Sequence, residues 1–456
     1  MSVQRWITGW LVLGLAVISC TAPAAGAADS VSAPHYLIDA KLDPADKTLE
    51  ADVLLRLPEK FAGKRIDFLL SRSLEVISSV PSARRLELGS ATGFIGINGS
   101  PPRPSDAARA SRYSVQLAPG SHELRVRYRG RVDFGFETPT QEYARGFAET
   151  AGVIRPEGVY LAGRSLWYPY LGEALVTLEL TAQAPAGWQL VSAGSGHAGG
   201  TDGRAHWVSR QPLDELHIVG GPLTRYARGA GAATAEVYLR KPDAALAARY
   251  LESTARNLAM YRQLVGPYPY DKFALVENFW ETGYGMPSFT LLGPEVIRFP
   301  FILTSSFPHE VLHNWFGTGV FVDYARGNWA EGLTAYLADH LYKEQVGQGA
   351  EYRRDTLKRY RDYVRSNRDF PLTQFVSRES PATEAVGYGK ALMAFHMLRR
   401  KLGDEAFTQA LRKFYREQLG RRAGFTDLAT AFGITLIGFV RGDSFNIYAH
   451  GRRVIG

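Results

Sequence analysis

The sequence contains a single cysteine, Cys20, among its 456 residues. The chain beyond it therefore has no thiol for an internal disulfide or for a thiolate metal ligand. Stability must come from packing, for which a hydrophobic content of 45% is sufficient at this length. A metal site in the main part of the chain has to be built from histidine and carboxylate side chains.

A concentrated basic segment is also missing. The chain has 53 lysines and arginines against 45 acidic residues, a net charge of +8, without a basic tail or a basic run interleaved with aromatic residues. Nucleic-acid binding is therefore not expected, and the excess charge is interpreted as a solvated basic surface. The length predicts about two or three domains.

A long apolar run occurs only at the amino end, so no other segment is expected to span a membrane. Residues 7–18 are apolar and are followed by small residues, which predicts an export signal over residues 1–28. Three routes fit: cleavage after Ala25-Gly26-Ala27, lipidation of the cysteine in the lipobox-like Val17-Ile18-Ser19-Cys20, or retention as an anchor. We expect an exported protein, periplasmic or secreted, with membrane attachment through this segment only.

The most informative stretch is His309-Glu310-Val311-Leu312-His313. Because residues four apart share one helix face, His309 and His313 can direct their imidazoles at one ion while Glu310 projects beside it. Phe307-Pro308 places a proline at the expected helix start, where its missing N–H does no harm. The pattern predicts a metal site with its general base, and a packed pair of helix histidines is the alternative interpretation.

A third ligand follows in the segment that begins at Asn328. This segment predicts a capped second helix with Glu331 in its first turn. Two histidines and a glutamate form the ligand set of catalytic zinc sites that keep a fourth position for water. The sequence therefore predicts one zinc ion held by His309, His313 and Glu331, and hydrolytic chemistry with Glu310 beside it.

Two regions follow the export segment. Residues 33–232 contain alternating stretches with a period of two, such as residues 36–42 and 122–128, which predicts an antiparallel β domain, a sandwich or a saddle-shaped sheet. Residues 233–433 change to a mixed pattern, with a helix starting at Pro242-Asp243 and ending near residue 264. The fold class is thus α+β and multidomain, and residues 434–456 are a tail of unknown structure.

These features resemble the gluzincin aminopeptidase family, which includes aminopeptidase N and leukotriene hydrolase. The resemblance covers residues 35–430. It is most specific where the zinc motif continues into Asn314-Trp315-Phe316-Gly317, and further matches are residues 266–272 and Tyr388-Gly389-Lys390-Ala391. It implies an N-terminal β domain followed by a thermolysin-like mixed α/β catalytic domain. Longer members continue into a large helical domain that covers the cleft, and we expect this chain to be without the full helical domain and to have a more open cleft.

The resemblance also implies an activity, that of a zinc metallopeptidase acting on peptide substrates. Glu310 would take a proton from the zinc-bound water, and Tyr388 matches the tyrosine that hydrogen-bonds the developing oxyanion. A phenol titrates near pH 10 and so remains a donor at neutral pH. The alternative for Tyr388 is a packed aromatic residue at the start of a helix.

One departure from the family concerns the amine anchor. A GxMEN loop supplies a glutamate for the substrate's free α-amine, whereas this chain has Tyr284-Gly285-Met286-Pro287-Ser288, with proline at the glutamate's place. Glu277 and Glu281 lie upstream as possible replacements or as ordinary strand-edge and loop carboxylates. Gly285 and Met286 are expected to bind substrate through their backbone along a sheet edge, a mode that needs no charged anchor.

A second departure is Ala330, which stands where the family has an asparagine before the glutamate ligand, so one supporting hydrogen bond is expected to be lost. Three functions stay open: a peptidase without an amine anchor, a conventional aminopeptidase that uses another glutamate, and a catalytically impaired peptide-binding or scaffold protein of the cell envelope. The retention of the three ligands with Glu310 and Tyr388 favours an enzyme, because a scaffold needs neither a base nor an oxyanion donor.

Overall fold

The computed structural model describes residues 33–86, 109–137, 148–172, 174–364, 368–434, 436–439 and 445–449. The predicted export segment and Cys20 lie outside these residues and stay predictions. Within the described ranges, no helix has the length and apolar character needed to cross a membrane.

The first part of the chain is built from strands, as predicted. They are β1 His35–Asp43, β2 Thr48–Arg56, β3 Arg65–Ser71, β4 Leu74–Val80, β5 Ala83–Leu86, β6 Ala110–Gln116, β7 Glu123–Arg131, β8 Gly152–Arg155, β9 Gly158–Leu161, β10 Val176–Gln183, β11 Gln189–Val191, β12 Ser195–His197, β13 Arg204–Leu213 and β14 Ile218–Gly221. They form a seven-stranded sheet (β12-β13-β10-β1-β2-β7-β4), a four-stranded sheet (β11-β14-β9-β8) and a three-stranded sheet (β3-β6-β5).

The predicted antiparallel character holds for these sheets with one correction. In the seven-stranded sheet β1 runs parallel to β10, with His35 opposite Thr177. Such a pair needs a long connection, and more than a hundred residues separate these two strands. Along β1 every second side chain is buried, from Tyr36 to Leu42, which is the period of two expected of a sheet with one covered face.

The second part is organised around a five-stranded sheet of order β15-β16-β17-β19-β18. Its strands are β15 Thr224–Ala230, β16 Ala233–Leu239, β17 Lys272–Glu277, β18 Gly283–Met286 and β19 Phe289–Leu292. The sheet begins at Thr224, ahead of the predicted boundary at residue 233, because β15 pairs with β16 through a tight turn in which Gly231 has a φ of +71°. Strands β16, β17 and β19 are parallel, and β18 is an antiparallel strand at the edge.

Helices cover this sheet and complete the second part. They are α1 Ala244–Leu264, α2 Ser306–Leu312, α3 Ala330–Thr334, α4 Leu341–Gln345, α5 Gly349–Tyr363, α6 Pro381–Glu384, α7 Ala391–Leu402, α8 Asp404–Gln418 and α9 Phe425–Ala431. A π-helical segment, Ala335–His340, joins α3 to α4, and a second, Ala385–Lys390, joins α6 to α7. The predicted start of α1 is confirmed, since the Asp243 side chain accepts a hydrogen bond from the Leu246 N–H at 2.9 Å.

Short strands complete the described chain. A small three-stranded sheet consists of β20 Phe316–Gly317, β21 Val320–Val322 and β22 Arg422–Ala423. In the tail, β23 Leu436–Phe439 and β24 Phe445–Ala449 pair as an antiparallel hairpin.

The packing of its apolar face sets the orientation of helix α2. The Phe307 ring lies 4.9 Å from the Tyr250 ring of α1 and 5.9 Å from the Phe273 ring of β17, all fully buried. Val311 and Leu312 are buried in the same core. The face that carries the zinc motif is thereby turned towards β18 and α3.

Candidate metal centre and active site

The structure brings His309, His313 and Glu331 together at the meeting point of α2 and α3. Their ligand atoms lie within 4.8 Å of one another. The Glu331 Oε2 atom is 3.4 Å from the Nε2 atom of His309 and 3.5 Å from that of His313. All three side chains are largely buried.

The geometry of these donors fits a zinc ion. Bonds of about 2.0–2.1 Å at tetrahedral angles place neighbouring donor atoms about 3.3–3.4 Å apart. The two separations from Glu331 Oε2, 3.4 and 3.5 Å, agree with that spacing. Two imidazoles and one carboxylate also match the ligand types of catalytic zinc, so these residues would hold the ion and leave its fourth position open.

Each histidine is oriented by a partner on its outer nitrogen. The Nδ1 atom of His309 lies 3.2 Å from Asp339 Oδ2, and that of His313 lies 3.0 Å from the Phe316 carbonyl oxygen. When Nδ1–H donates to such an acceptor, the Nε2 lone pair is directed at the ion and the ligand becomes more basic. Neither Asp339 nor the Phe316 carbonyl was identified from the sequence.

The π-helical segment explains why Asp339 reaches the site. Asp339 follows Glu331 by eight residues, which in a regular α-helix rotates its side chain by about 80° from that of Glu331. A π-helical turn accommodates one extra residue, so that the eighth position falls about 20° from alignment instead. The segment Ala335–His340 contains this turn and brings both carboxylates to one face.

The electrostatics favour a cation at this point. Burial alone lowers the pKa of His309, but the carboxylates of Asp339 and Glu331 outweigh it and hold that pKa well above its usual value. Burial raises the pKa of Glu331, but the neighbouring His313 and His309 outweigh it and hold that pKa well below its usual range. Glu331 is therefore an anionic ligand across the physiological range.

Glu310 lies against the edge strand β18. A Cβ atom added to Gly285 would lie 2.4 Å from Glu310 Oε2, so only glycine leaves room for the carboxylate there. Burial raises the pKa of Glu310, and the charges of His313 and His309 oppose that rise without cancelling it. A carboxylate of raised basicity beside an open metal position suits a proton acceptor.

Tyr388 lies on the second π-helical segment, beside the triad. Its ring is stacked on that of His309, with the ring centroids 6.3 Å apart and an angle of 16° between the planes. Burial, followed by the Glu331 charge, raises the pKa of this phenol well above its usual value. The hydroxyl therefore stays protonated and able to donate at neutral pH.

Close helix packing brings Tyr388 to this place. A Cβ atom on Gly332 would lie 2.2 Å from Ala391 Cβ and 3.0 Å from the Gly387 carbonyl oxygen. Gly332 follows the third ligand directly, and Gly387 precedes Tyr388. The two helical segments can therefore approach closely only where these glycines meet, a contact that sequence spacing does not show.

On the substrate side, Pro287 and Ser288 form the two-residue turn between β18 and β19. Met286 pairs with Phe289 across it, and Ser288 has a φ of +68°. Proline at the first central position and a positive φ at the second are the pattern of a type II turn. The Met286 side chain is buried in the core of the first part, so only its backbone is available for a substrate.

The two upstream carboxylates have partners elsewhere. Glu277 accepts hydrogen bonds from the Arg240 N–H at 2.7 Å and from Arg298 Nη1 at 2.8 Å. Glu281 accepts from the backbone N–H groups of Glu295, at 2.8 Å, and of Val296, at 3.4 Å. These contacts favour the structural interpretation of both side chains over that of an amine anchor.

The first part also contains a largely buried carboxylate pair, Asp214 and Glu215, that was not identified from the sequence. Glu215 accepts a hydrogen bond from the Gly163 N–H at 3.0 Å, and burial, followed by the charge of Asp214, raises the pKa of Glu215 to about 8. Burial, followed by the charges of Asp214 and Glu331, also raises the pKa of Tyr324. The charges of Glu215 and Glu331 thus both act on Tyr324.

No protein-family model and no curated protein matches this chain. Solved structures do match it. The M1 zinc metallopeptidase of Deinococcus radiodurans is 21% identical with a TM-score of 0.64, and the alignment covers 88% of this chain and 89% of that one. A mutant of the same enzyme bound to a Tyr-Ser-Ala substrate gives the same identity and score over 88% and 90%. Native yeast LTA4 hydrolase is 14% identical with a TM-score of 0.63, over 88% of this chain and 64% of that one.

These likenesses extend over both parts of the chain, since the alignments cover 88% of it. In the described residues, a β-rich first part precedes a mixed α/β second part that carries the metal motif. The chain therefore has the fold of the M1 zinc metallopeptidases, which confirms the predicted resemblance to the gluzincin aminopeptidases at the level of fold.

Proposed function

We propose that this protein is a zinc-dependent metallopeptidase that hydrolyses peptide bonds with Glu310 as general base. The observation that carries the proposal is the convergence of three parts on one point: the His309, His313 and Glu331 donors at zinc spacing, the Glu310 carboxylate and the Tyr388 hydroxyl. Zinc bound by such donors acidifies a water molecule and polarises a carbonyl group.

The chain's own residues would perform the remaining steps. Glu310, whose burial raises its pKa, accepts the proton of the attacking water and holds it for the leaving amine. Tyr388 donates a hydrogen bond to the oxygen on which negative charge develops. Strand β18, at the edge of the described sheet, offers backbone groups with which an extended peptide can pair, with Gly285 directly opposite Glu310.

The proposed substrate is a peptide held without a charged amine anchor. Pro287 forms the turn where the family's glutamate would stand, and Glu277 and Glu281 are bound to other groups. Backbone pairing along β18 does not depend on a terminal ammonium group. The protein would then cleave peptides with free and with blocked amino ends. The predicted export segment supports activity outside the cytoplasm.

An aminopeptidase is the second candidate, favoured by Glu215. Glu215 lies in the first part of the chain, its charge and that of Glu331 both act on Tyr324, and burial, followed by the charge of Asp214, raises the pKa of Glu215 to about 8. An ammonium group bound beside it would return that pKa towards its usual range. Glu215→Gln would then weaken only the cleavage of peptides with free amino ends.

One experiment tests the proposal. Metal analysis of the purified protein is expected to give one zinc ion per chain, and a single peptide with a free or an acetylated amino end is expected to be cleaved at rates within about threefold. Glu310→Gln should retain zinc and lower kcat by about 10²–10⁴-fold. Cleavage of the free form alone would establish the aminopeptidase, and equal rates for wild type and Glu310→Gln would refute catalysis at this site.

A further inference from the structure

A lysine lies buried between the two parts of the chain, outside the proposed reaction. Lys272, the first residue of β17, is 4% exposed. Its Nζ atom donates to the Ser192 carbonyl oxygen at 2.9 Å and to Ser288 Oγ at 2.8 Å, and it lies 4.6 Å from the Trp207 ring. Burial lowers the pKa of this lysine to about 7. A lysine is rarely buried so fully unless its donors are used, and here they join the two parts.

Ser288 receives that contact in an unusual backbone conformation. It is fully buried with a φ of +68°, a region that costs a non-glycine residue free energy unless its surroundings hold it. Its Oγ accepts from the Gly194 N–H at 3.1 Å as well as from Lys272, and its own N–H donates to Asn314 Oδ1 at 2.7 Å. The turn is therefore bound both by the first part of the chain and by Asn314, which lies just beyond the end of α2.

Asn314 connects this turn to the proposed base. It follows His313 directly, and its Nδ2 atom donates to the Glu310 carbonyl oxygen at 3.2 Å. The Tyr268 hydroxyl donates its one hydrogen to the Lys272 carbonyl oxygen at 2.9 Å, and its oxygen also lies 3.3 Å from Asn314 Oδ1. Hydrogen bonds thus run without interruption from the backbone of the first part to the backbone of Glu310.

The same turn also meets Glu310 through the edge strand. Ser288 lies in the turn that follows β18, and Gly285 in that strand lies so close to the Glu310 carboxylate that an added Cβ atom would be 2.4 Å from its Oε2 atom. If the turn were displaced, β18 would shift the Glu310 carboxylate, and Asn314 would shift the backbone of α2. Misplacement by about 1 Å can cost 10²-fold in rate.

We propose that Lys272 is a positioning residue that, through Ser288, fixes the position of β18 relative to Glu310. Because Lys272 also binds the first part of the chain, this position depends on the docking of the N-terminal β domain. The inference rests on the proposed peptidase function. It assigns no contact with substrate to the lysine.

The test compares Ser288→Ala, Lys272→Met and their double variant with Arg240→Gln in the full chain. Arg240 is the matched control, because its Nη1 atom donates to the Glu157 carbonyl oxygen at 2.6 Å and so links the same two parts without touching the turn or Asn314. Ser288→Ala removes only the hydroxyl and leaves the lysine in place, so it decides the question even where Lys272→Met does not fold.

We expect kcat to fall about tenfold for Ser288→Ala and 10- to 100-fold for Lys272→Met, with KM within threefold and zinc content unchanged. The double variant should lose no more than Lys272→Met alone, because both substitutions break one network. Arg240→Gln should stay within twofold. Independently of activity, amide hydrogen exchange over residues 283–292 should accelerate in the first two variants and not in Arg240→Gln.

Two results would overturn the inference: unchanged kcat and exchange in Ser288→Ala, or an equal loss of kcat in Arg240→Gln, which would mean that any weakening of domain docking suffices. A wild-type protein that binds zinc and cleaves no peptide would instead contradict the proposed function. Hydrogen exchange would in that case still confirm or refute the mechanical link between Lys272 and β18.

Discussion

The two walls of the proposed cleft are built in different ways. The metal wall consists of His309, His313 and Glu331, whose side chains each contact another group. His309 contacts Asp339, His313 contacts the Phe316 carbonyl oxygen, and Glu331 contacts both imidazoles. On the facing wall, β18 offers its backbone, a glycine at the closest approach to Glu310, and a turn with proline at the place of the family's charged anchor. In the proposed function, side chains would perform the chemistry and backbone groups would bind the substrate.

The difference predicts unequal effects of substitution. A side chain on the metal wall cannot be replaced without loss of a ligand or its support. On the β18 wall, substitutions should leave kcat unchanged wherever a side chain has room, and should lower it only at Gly285, the position closest to Glu310. The following substitutions test this contrast.

The largest effect is expected for Glu331→Ala. It removes the donor that lies 3.4–3.5 Å from both imidazoles and leaves the two histidines as the remaining ligands. Zinc content after dialysis should fall below about one tenth, and activity by 10³-fold or more. Glu351→Ala, at an exposed position of α5, is the control and should retain both. Full zinc occupancy in Glu331→Ala would show that this carboxylate is not a ligand.

The next effect concerns the β18 wall at its closest point. Gly285→Ala places a methyl group 2.4 Å from Glu310 Oε2 and must displace the carboxylate or the strand, so kcat should fall about 100-fold with zinc retained. Gly283→Ala is a matched control in the same strand, because its Cβ meets only Leu292 at an ordinary 3.8 Å. Similar kcat values for the two variants, from steady-state assays, would contradict the proposed contact.

Asp339→Asn should weaken the metal wall without removing a ligand. The amide keeps the size of the side chain but loses the charge that supports the Nδ1–H of His309. Zinc affinity, measured by chelator competition, should fall by 10- to 100-fold. The exposed Asp355→Asn serves as the control. An affinity equal to that of wild type would mean that His309 needs no carboxylate partner.

The same contrast explains what the sequence could reveal. The metal motif depends on spacing within two helices, so His309, Glu310, His313 and Glu331 were predicted and the structure brings them together. Asp339 was missed because its contact depends on a π-helical turn, which the apolar pattern does not signal. Likewise, Gly332 looks like an ordinary helix glycine until Ala391 lies against it.

The fold shows a similar division. Alternation along β1 and the cap at Asp243 are local signals, and both predictions are confirmed. The parallel pairing of β1 with β10 and the membership of β15 in the second sheet are not local, because each depends on which distant strand lies alongside. The contact between Lys272 and Ser288 could not be predicted either, because it belongs to a network that joins separate parts of the chain.

The smallest effect is expected for a substitution that adds a charged side chain to the β18 wall. Pro287→Glu places a carboxylate where the family carries its amine anchor, at a turn position that most residues accept. A partly solvated ion pair with the substrate's ammonium group contributes at most about 1 kcal/mol, so the preference for a free over an acetylated amino end should rise about three- to fivefold. Pro287→Gln, equal in size but neutral, separates charge from the loss of proline. If both variants changed the ratio of kcat/KM values equally, the turn itself and not the missing charge would govern recognition of the amino end.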